Sequence, residues 1–160
     1  MNDFTVRPSV KEDKTCVTNL LTAWWASPMI VTRGKTHHAD NLPGFIAECN
    51  HKPAGLLTYN TDGKNCEIVT MNSLIENIGI GSALVDAVKQ AARRTGCKRL
   101  WLITTNDNTV AMRFYQKRGF TFAAVHRNSI EQSRRLKPEI PTIGNDGIPI
   151  RDEIEFELNL

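Results

Sequence analysis

Two glycines one residue apart, Gly79 and Gly81 in the stretch IENIGIGSAL, lie where the pattern of the chain changes. The segment CEIVTM before them is short, apolar and rich in β-branched residues, which predicts a strand. The segment SALVDAVKQAARR after them has apolar residues every three or four positions, which predicts a helix that ends at Gly96. Glycines at a helix start indicate a sharp turn or the close approach of another group. The chain must therefore join a strand to a helix at this point.

The N-terminal half predicts four strands and one helix. FTVR is expected to form the first strand, and PSVKEDKTCVTNLLTAWWAS a helix that Pro8 and Ser9 open with a Ser9–Glu12 capping box. MIVTRGKTHHADNLPG has no clear period and is expected to be a loop or a broken helix. FIAECN, AGLLTYN and CEIVTM then predict three consecutive strands of an antiparallel meander.

The C-terminal half predicts three strands and one further helix. CKRLWLITT is typical of a central strand buried on both faces, NDNTVAMRFYQKRG of a short helix that Gly119 ends, and FTFAAVHR of a strand. Residues 128–149 are expected to be irregular, and the alternation of IRDEIEFELNL predicts a half-buried last strand. This order predicts an α/β (α+β) fold, a single mixed, mostly antiparallel sheet flanked by helices, in one domain over residues 1–160.

Composition excludes few functions. The net charge of +3 is too small to indicate a nucleic-acid partner, although it suits an anionic ligand. The four cysteines lie far apart without metal-ligand spacing, so we expect reduced thiols, no metal site and a cytoplasmic location. The N-terminus lacks the apolar region of a signal peptide, and no apolar run approaches the roughly 20 residues of a membrane span. We therefore expect no membrane partner.

The glycine stretch is compatible with different loops. A P-loop would need a lysine after the second glycine, and none is present. A dinucleotide-binding turn would need a third glycine where the chain has Leu84, and an acidic partner for which Asp107 is the candidate. The antiparallel meander disfavours that turn further. Two interpretations remain open. The free backbone amides of the helix could bind a diphosphate, or the glycines could only permit a tight turn.

A second motif, NTVAMRFYQKRGF, follows one strand later. Together with the glycine stretch it resembles the GNAT superfamily of N-acetyltransferases, in which an R/Q-x-x-G-x-G/A loop precedes a strand and an N-x-x-A-x-x-F/Y-Y-x-K-x-G-F helix. The residues in register with that helix motif are Asn108, Ala111, Phe114, Tyr115, Lys117, Gly119 and Phe120. One position departs from the loop motif: Glu76 stands where the family usually has Arg or Gln, and a carboxylate beside a diphosphate is unfavourable.

The resemblance implies acetyl-CoA as the donor, an amine as the acceptor, and direct transfer in a ternary complex. It implies that Tyr115 is the acid that assists the departing thiolate, although Tyr115 could instead be a core aromatic. It also implies that a backbone amide around Met71 and Asn72 stabilises the thioester oxygen. The residues it places at the cofactor are Met71, Asn72, Asn77, Ile78, Gly79, Ile80, Gly81, Ser82, Ala83, Asn108, Ala111, Phe114, Tyr115 and Lys117.

The general base is less clearly indicated. An amine has an ordinary pKa near 10 and must lose a proton before it attacks, so a base is expected near the acceptor. Glu67, on the strand before the glycines, can act through a water molecule as in several relatives, or can form a salt bridge in the sheet. His37, His38 and Asp40 in the expected loop are rivals, and His126 is expected to be structural.

The acceptor site is expected to lie in the less regular segments, residues 24–41 and 127–149. Trp24 and Trp25 point in different directions on a helix, so one is expected in the core and the other beside the pocket. Four charged residues could bind a charged acceptor or lie on the surface: Arg134, Arg135, Asp152 and Glu153.

These patterns predict an acetyl-CoA-dependent N-acetyltransferase that acts on the primary amine of a small molecule. A CoA-binding regulatory module without turnover and a protein N-acetyltransferase are the alternatives. A homodimer is compatible with the sequence, which indicates no interface.

Overall fold

The computed structural model describes residues 3–160, so Met1 and Asn2 of the predicted domain lie outside the described residues. These residues form a seven-stranded sheet, a two-stranded hairpin and four α-helices. The strands are β1 (Phe4–Pro8), β2 (Met29–Thr32), β3 (Lys35–His38), β4 (Gly44–Cys49), β5 (Lys52–Asp62), β6 (Asn65–Ser73), β7 (Arg99–Thr105), β8 (Thr121–His126) and β9 (Glu153–Asn159). The helices are α1 (Lys14–Trp25), α2 (Ile80–Arg94), α3 (Thr109–Lys117) and α4 (Ser129–Leu136).

The main sheet confirms the predicted fold class. Its strand order is β1-β4-β5-β6-β7-β9-β8. Among the described strands, β6 and β7 are the only parallel neighbours, and α2 makes the crossover between them. The sheet is therefore mixed and mostly antiparallel. No α-helix within residues 3–160 is long and apolar enough to cross a membrane.

Strands β6 and β7 pair along only part of their length. Their register joins Asn65–Ile68 to Arg99–Leu102, although both strands continue beyond it. Strand β6 carries a bulge at Val69, which has no partner on β5. A bulge bends its strand and increases the local twist. The two strands consequently diverge after the bulge and leave a cleft in the sheet.

Helices cover both faces of the sheet. Helices α2 and α3 cover one face, where the core includes Leu84, Val85, Val88, Leu100, Tyr115, Phe120 and Phe156. Helix α1 covers the other face, where the core includes Val17, Leu21, Ile46, Leu56 and Val69. The predicted apolar face of α2 is thus buried as expected, and its end at Gly96 is confirmed by the left-handed φ of +80° there.

Helix α1 begins later than predicted. Strand β1 continues to Pro8, and residues 11–13 form a short 3-10 turn before the helix starts at Lys14. The predicted Ser9–Glu12 capping box is wrong, because the Ser9 hydroxyl donates to the Gly44 carbonyl at 3.2 Å. The Asp13 carboxylate instead accepts a hydrogen bond from the Val10 amide at 2.8 Å.

Two segments that were expected to be irregular are ordered elements. The expected loop after α1 contains the β2–β3 hairpin, whose turn residues Arg33 and Gly34 have φ of +50° and +72°. Positive φ at both central residues is typical of a two-residue hairpin turn. The expected irregular stretch from residue 128 onward begins with α4. Both elements are too short to show a clear periodicity of apolar residues in the sequence.

Strands β7 and β9, which are neighbours in the sheet, differ from the predicted burial. Strand β7 was expected to be buried on both faces, but it alternates between buried and half-buried residues. Strand β9 was expected to be half-buried, but its polar face is covered as well, with Glu153 only 1% and Glu155 only 8% exposed. Glu153 accepts hydrogen bonds from the Arg33 amide and the Ser133 hydroxyl, so the hairpin and α4 provide the cover.

Candidate functional site

The cleft between the diverging ends of β6 and β7 has a volume of about 530 Å³. It extends from Trp25, on the α1 side of the sheet, to the first turn of α2 and the facing side of α3. Most of the residues predicted to bind a cofactor line this cleft: Met71, Asn77, Gly79, Ile80, Gly81, Ser82, Asn108, Ala111, Phe114 and Tyr115. The structure therefore brings both sequence motifs together at one site.

The other predicted cofactor residues do not line the cleft: Asn72, Ile78, Ala83 and Lys117. The side chain of Asn72 faces α1, where it accepts a hydrogen bond from Trp25 Nε1 at 2.7 Å. Ile78 packs against the core under α2, and Lys117 is exposed to solvent. Their contacts with a cofactor stay predictions.

Gly79 is required by the backbone conformation at the start of α2. It is the N-cap residue with φ of +94°, a region that residues with a side chain rarely adopt. A Cβ there would meet only Phe4 Cζ, at 4.0 Å, so space does not require the glycine. The first helical hydrogen bond runs from the Ala83 amide to the Gly79 carbonyl at 3.0 Å. The amides of residues 80–82 precede it and have no partner within the helix.

Gly81 is required by a close neighbour. A Cβ there would lie 2.9 Å and 3.0 Å from two atoms of the Phe114 ring, closer than real side chains approach. The absent side chain thus lets α3 pack against the first turn of α2. The two glycines are therefore required for different reasons: Gly79 by its left-handed φ, and Gly81 by the Phe114 ring.

Tyr115 and Asn108 hold the two ends of α3 in place. The Tyr115 ring is buried and makes edge contacts with Phe114 and Phe120, with centroids 5.1 Å and 5.3 Å away. Its hydroxyl donates to Met71 Sδ at 3.8 Å, and a thioether is only a weak acceptor. Burial raises the pKa of Tyr115 above its ordinary value. The Asn108 side chain caps α3 by accepting a hydrogen bond from the Ala111 amide at 3.1 Å.

The sequence and the fold match one family of enzymes. The family model described as the acetyltransferase (GNAT) family matches residues 7–120 of this chain. The chain belongs to this family. It is accordingly an acyltransferase. The uncharacterised Bacillus subtilis protein YdhI is 45% identical over 150 residues, which cover 93% of this chain and 94% of YdhI.

Solved structures of GNAT acetyltransferases share the fold. One from Elizabethkingia anophelis, with acetyl-CoA bound, matches at a TM-score of 0.71 and 20% identity over all of both chains. A Bacillus subtilis acetyltransferase in complex with CoA matches at a TM-score of 0.69 and 17% identity over 99% of each chain. At these identities the similarity shows that the present chain has the same fold as these structures.

Arg118 lines the cleft of this acetyltransferase, although the sequence did not indicate it. Its Nε donates to Ser82 Oγ at 3.0 Å, and its Nη1 donates to the Phe114 carbonyl at 2.8 Å. The guanidinium carbon lies 3.4 Å from the centroid of the Phe114 ring. Arg118 occupies an unspecified position of the GNAT helix motif, so only the packing of α3 on α2 reveals it.

Glu67 lies beneath the β2–β3 hairpin and does not line the cleft. It is only 3% exposed, and its Oε1 accepts a hydrogen bond from the Thr32 hydroxyl at 2.8 Å. His37 Nε2 lies 3.2 Å from that hydroxyl and 3.3 Å from Glu67 Oε2. The side chain that the GNAT resemblance offers as a base is therefore part of a buried cluster of Thr32, His37 and Glu67. Its catalytic role stays a prediction.

The rival bases lie outside the cleft of the acetyltransferase as well. His38 is exposed, and Asp40 accepts a hydrogen bond from the Thr18 hydroxyl at 3.1 Å. His126 lies 3.0 Å from Glu155, in agreement with its expected structural role.

Of the two segments expected to form the acceptor site, residues 24–41 contribute only Trp25 to the lining of the cleft, and residues 127–149 contribute none of it. Trp25 lines the cleft, whereas Trp24 packs against the core under α1. The charged residues expected there contact other parts of the protein. Arg134 donates to the carbonyls of residues 140, 141 and 150. Arg135 pairs with Glu131, Asp152 pairs with Arg151, and Glu153 accepts a hydrogen bond from the Arg33 amide of the hairpin. Lys137 donates to the carbonyls of Trp25 and Met29, both at 2.7 Å.

The contact between Gly81 and Phe114 predicts a specific pair of variants. Gly81→Ala should improve the helix propensity of α2 by about 1 kcal/mol but overpack the Phe114 ring at a cost of about 1–3 kcal/mol. We expect a net loss of thermal stability. Phe114→Leu removes the ring edge, so the double variant should be more stable than the sum of the two single effects. Thermal unfolding of the four proteins measures this coupling, and strictly additive changes would contradict it.

Proposed function

We propose that this acetyltransferase binds acetyl-CoA in the cleft between β6 and β7 and transfers the acetyl group directly to a small primary amine. The start of α2 is the observation that carries the proposal. Its uncovered amides lie at the cleft, and the dipole of a helix favours an anion at this end. Two structures of the same fold hold acetyl-CoA or CoA, which supports the same ligand here.

The residues present fit the parts of acetyl-CoA. The amides of residues 80–82 would hold the diphosphate, because they have no partner within the helix and all three residues line the cleft. The apolar walls at Ile68, Met71 and Leu102 would hold the arm that carries the thioester. When bound, acetyl-CoA supplies an activated acyl group for transfer.

The cleft offers a hydrogen-bond donor for the departing sulfur. Tyr115 lines the cleft, and its hydroxyl has only the weak Met71 acceptor, so it is available to a thiolate. Because its pKa is raised, Tyr115 stays protonated and stabilises the thiolate as a donor, rather than as a strong acid. Among the described residues that line the cleft, only Glu76, Tyr115 and Arg118 can ionise. We therefore infer that the amine loses its proton to water.

The acceptor end of the cleft favours an amine with an apolar body. Its walls are Trp25, Val69 and Ile103, and the single carboxylate among the described lining residues, Glu76, belongs to the loop before α2 at the opposite end. A polyamine would need carboxylates to pair with its charges, whereas an aromatic or alkyl amine needs apolar contacts. Aromatic and alkyl amines are the acceptor class that we propose.

Thermal unfolding with acetyl-CoA, CoA and NAD tests the proposal. A ligand at 100 times its dissociation constant stabilises the folded state by about 2.7 kcal/mol, which for this chain length raises Tm by about 5–10 °C. We expect this shift with acetyl-CoA and CoA but not with NAD. Absence of a shift at millimolar acetyl-CoA would overturn the proposal. Release of free CoA with arylalkylamines, spermidine and a peptide N-terminus then tests the acceptor class.

A further inference from the structure

Arg118 places a positive charge at the positive end of a helix dipole. Its Nε and Nη2 both donate to the hydroxyl of Ser82, which lies in the first turn of α2. A cation at a helix N-terminus is electrostatically unfavourable unless an anion lies close to it. No carboxylate in residues 3–160 forms an ion pair with Arg118, although Asp86, one turn further along α2 than Ser82, acts on it electrostatically. The guanidinium therefore has no anion in contact with it among the described residues.

The guanidinium is held rigidly and keeps free donors. Stacking on the Phe114 ring and the hydrogen bond to the Phe114 carbonyl fix its plane. Arginine has five N–H donors, of which the contacts with Ser82 and Phe114 use three. Arg118 lines the cleft, and its partner Ser82 lies in the first turn of α2, whose amides have no partner within the helix. A fixed guanidinium beside free amides suits a diphosphate, which accepts several hydrogen bonds at once.

The loop before α2 carries a negative charge, which makes the positive charge of Arg118 important for binding an anion. Glu76 lines the same cleft at the position where the GNAT motif usually has Arg or Gln, so the loop contributes a negative charge. Among the described residues that line the cleft, Arg118 is the only cation. The positive charge at the helix start thus comes from the residue that follows α3 instead of from the loop.

We propose that Arg118 binds the diphosphate of acetyl-CoA and replaces the basic or amide residue that the GNAT loop motif usually has at the position of Glu76. The inference rests on the proposed function, because it names the residue that recognises the anionic part of that ligand. It also predicts the effect of the loop carboxylate: Glu76→Gln should tighten acetyl-CoA binding, because a negative charge beside the diphosphate is removed.

Binding of two ligands to three proteins tests the role of Arg118. The ligands are acetyl-CoA, measured by calorimetry, and S-acetylpantetheine, which lacks the diphosphate, measured by ligand-observed NMR. The proteins are the wild type, Arg118→Gln, and the matched control Arg113→Gln, which removes the same charge from an exposed position of α3. We expect Arg118→Gln to weaken acetyl-CoA binding about tenfold to a hundredfold and to leave S-acetylpantetheine binding unchanged. Arg113→Gln should change neither.

The other outcomes overturn the inference in distinguishable ways. A wild type that binds neither ligand overturns the proposed function together with the role of Arg118. A wild type that binds acetyl-CoA, with Arg118→Gln equally tight, overturns the role of Arg118 alone. Equal losses for both ligands would show that Arg118 acts through the shape of the cleft. Arg118→Lys keeps the charge but loses the planar donors and the stacking on Phe114, so its acetyl-CoA binding should lie between that of the wild type and that of Arg118→Gln. A loss as large as that of Arg118→Gln at unchanged Tm would contradict charge recognition.

Discussion

Tyr115→Phe is expected to lower kcat about a hundredfold while the dissociation constant of acetyl-CoA stays within about twofold of the wild type. The hydroxyl makes a single weak contact with Met71 Sδ, so its removal costs the folded protein little. The ring keeps its packing against Phe120 and Phe156 in both proteins. The donor that the proposed mechanism places at the departing sulfur is lost, and this effect falls on the chemical step.

Initial rates of CoA release with a competent amine, together with Tm, test this prediction. Tyr59→Phe is the matched control, because Tyr59 is the other tyrosine of the chain, stacks on Phe45 and does not line the cleft. It should retain the wild-type kcat. If Tyr115→Phe retained more than about half of kcat, Tyr115 would be a core aromatic and the assignment would fail.

The pH dependence provides an independent check on Tyr115. Because burial raises its pKa, the folded protein holds this proton beyond the pH at which a free tyrosine loses it. Ionisation of Tyr115 should therefore cause no loss of kcat as the pH rises from about 7 to about 9.5. A basic limb in this range that disappears in Tyr115→Phe would contradict the expected direction.

Glu67→Ala is expected to reduce the free energy of unfolding by about 3 kcal/mol, which corresponds to a fall in Tm of about 6–12 °C. Glu67 is the buried acceptor for the Thr32 hydroxyl and lies beside His37. Its truncation leaves polar groups of the β2–β3 hairpin without their partner in a water-poor environment. The hairpin should then detach from β6 more easily than in the wild type.

The variant Glu67→Gln separates this structural role from the predicted role of a general base. Glutamine keeps an acceptor oxygen for Thr32, so we expect a loss of only about 1 kcal/mol. Thr32→Val, which removes the hydroxyl that donates to Glu67, should also lower Tm. If Glu67→Gln kept the wild-type Tm and lowered kcat a hundredfold, Glu67 would act in proton transfer and the structural assignment would be wrong. Denaturant unfolding and initial rates, measured on the same preparations, distinguish the structural role of Glu67 from a role in proton transfer.

The elements that the sequence predicted well are those whose cause is local. The apolar face of α2 and the left-handed glycine at Gly96 depend on residues within a few positions of each other. The strands from β4 to β6 were likewise visible as separate apolar runs with turn residues between them. Motif spacing also identified the glycine loop and α3 as parts of one site, since both motifs carry the GNAT pattern.

The β2–β3 hairpin and α4 were missed because distant partners stabilise them. The hairpin is held by contacts from Thr32 to Glu67 and from the Arg33 amide to Glu153, which are 35 and 120 residues apart. The end of α4 is held by Lys137, which donates to the Trp25 carbonyl 112 residues away. Contacts between residues so far apart in the chain produce no pattern in a short segment of the sequence.

The sequence by itself determined the class of the fold, because periodicity specifies the elements locally, and the resemblance of its two motifs to the GNAT pattern indicated ten of the residues that line the cleft. The tertiary structure decided what surrounds each charged side chain. It buried Glu67 under the hairpin, covered the acidic face of β9, and brought Arg118 to Ser82 across 36 residues of chain. Those environments depend on which distant elements pack together, and residue spacing within one element carries no information about them.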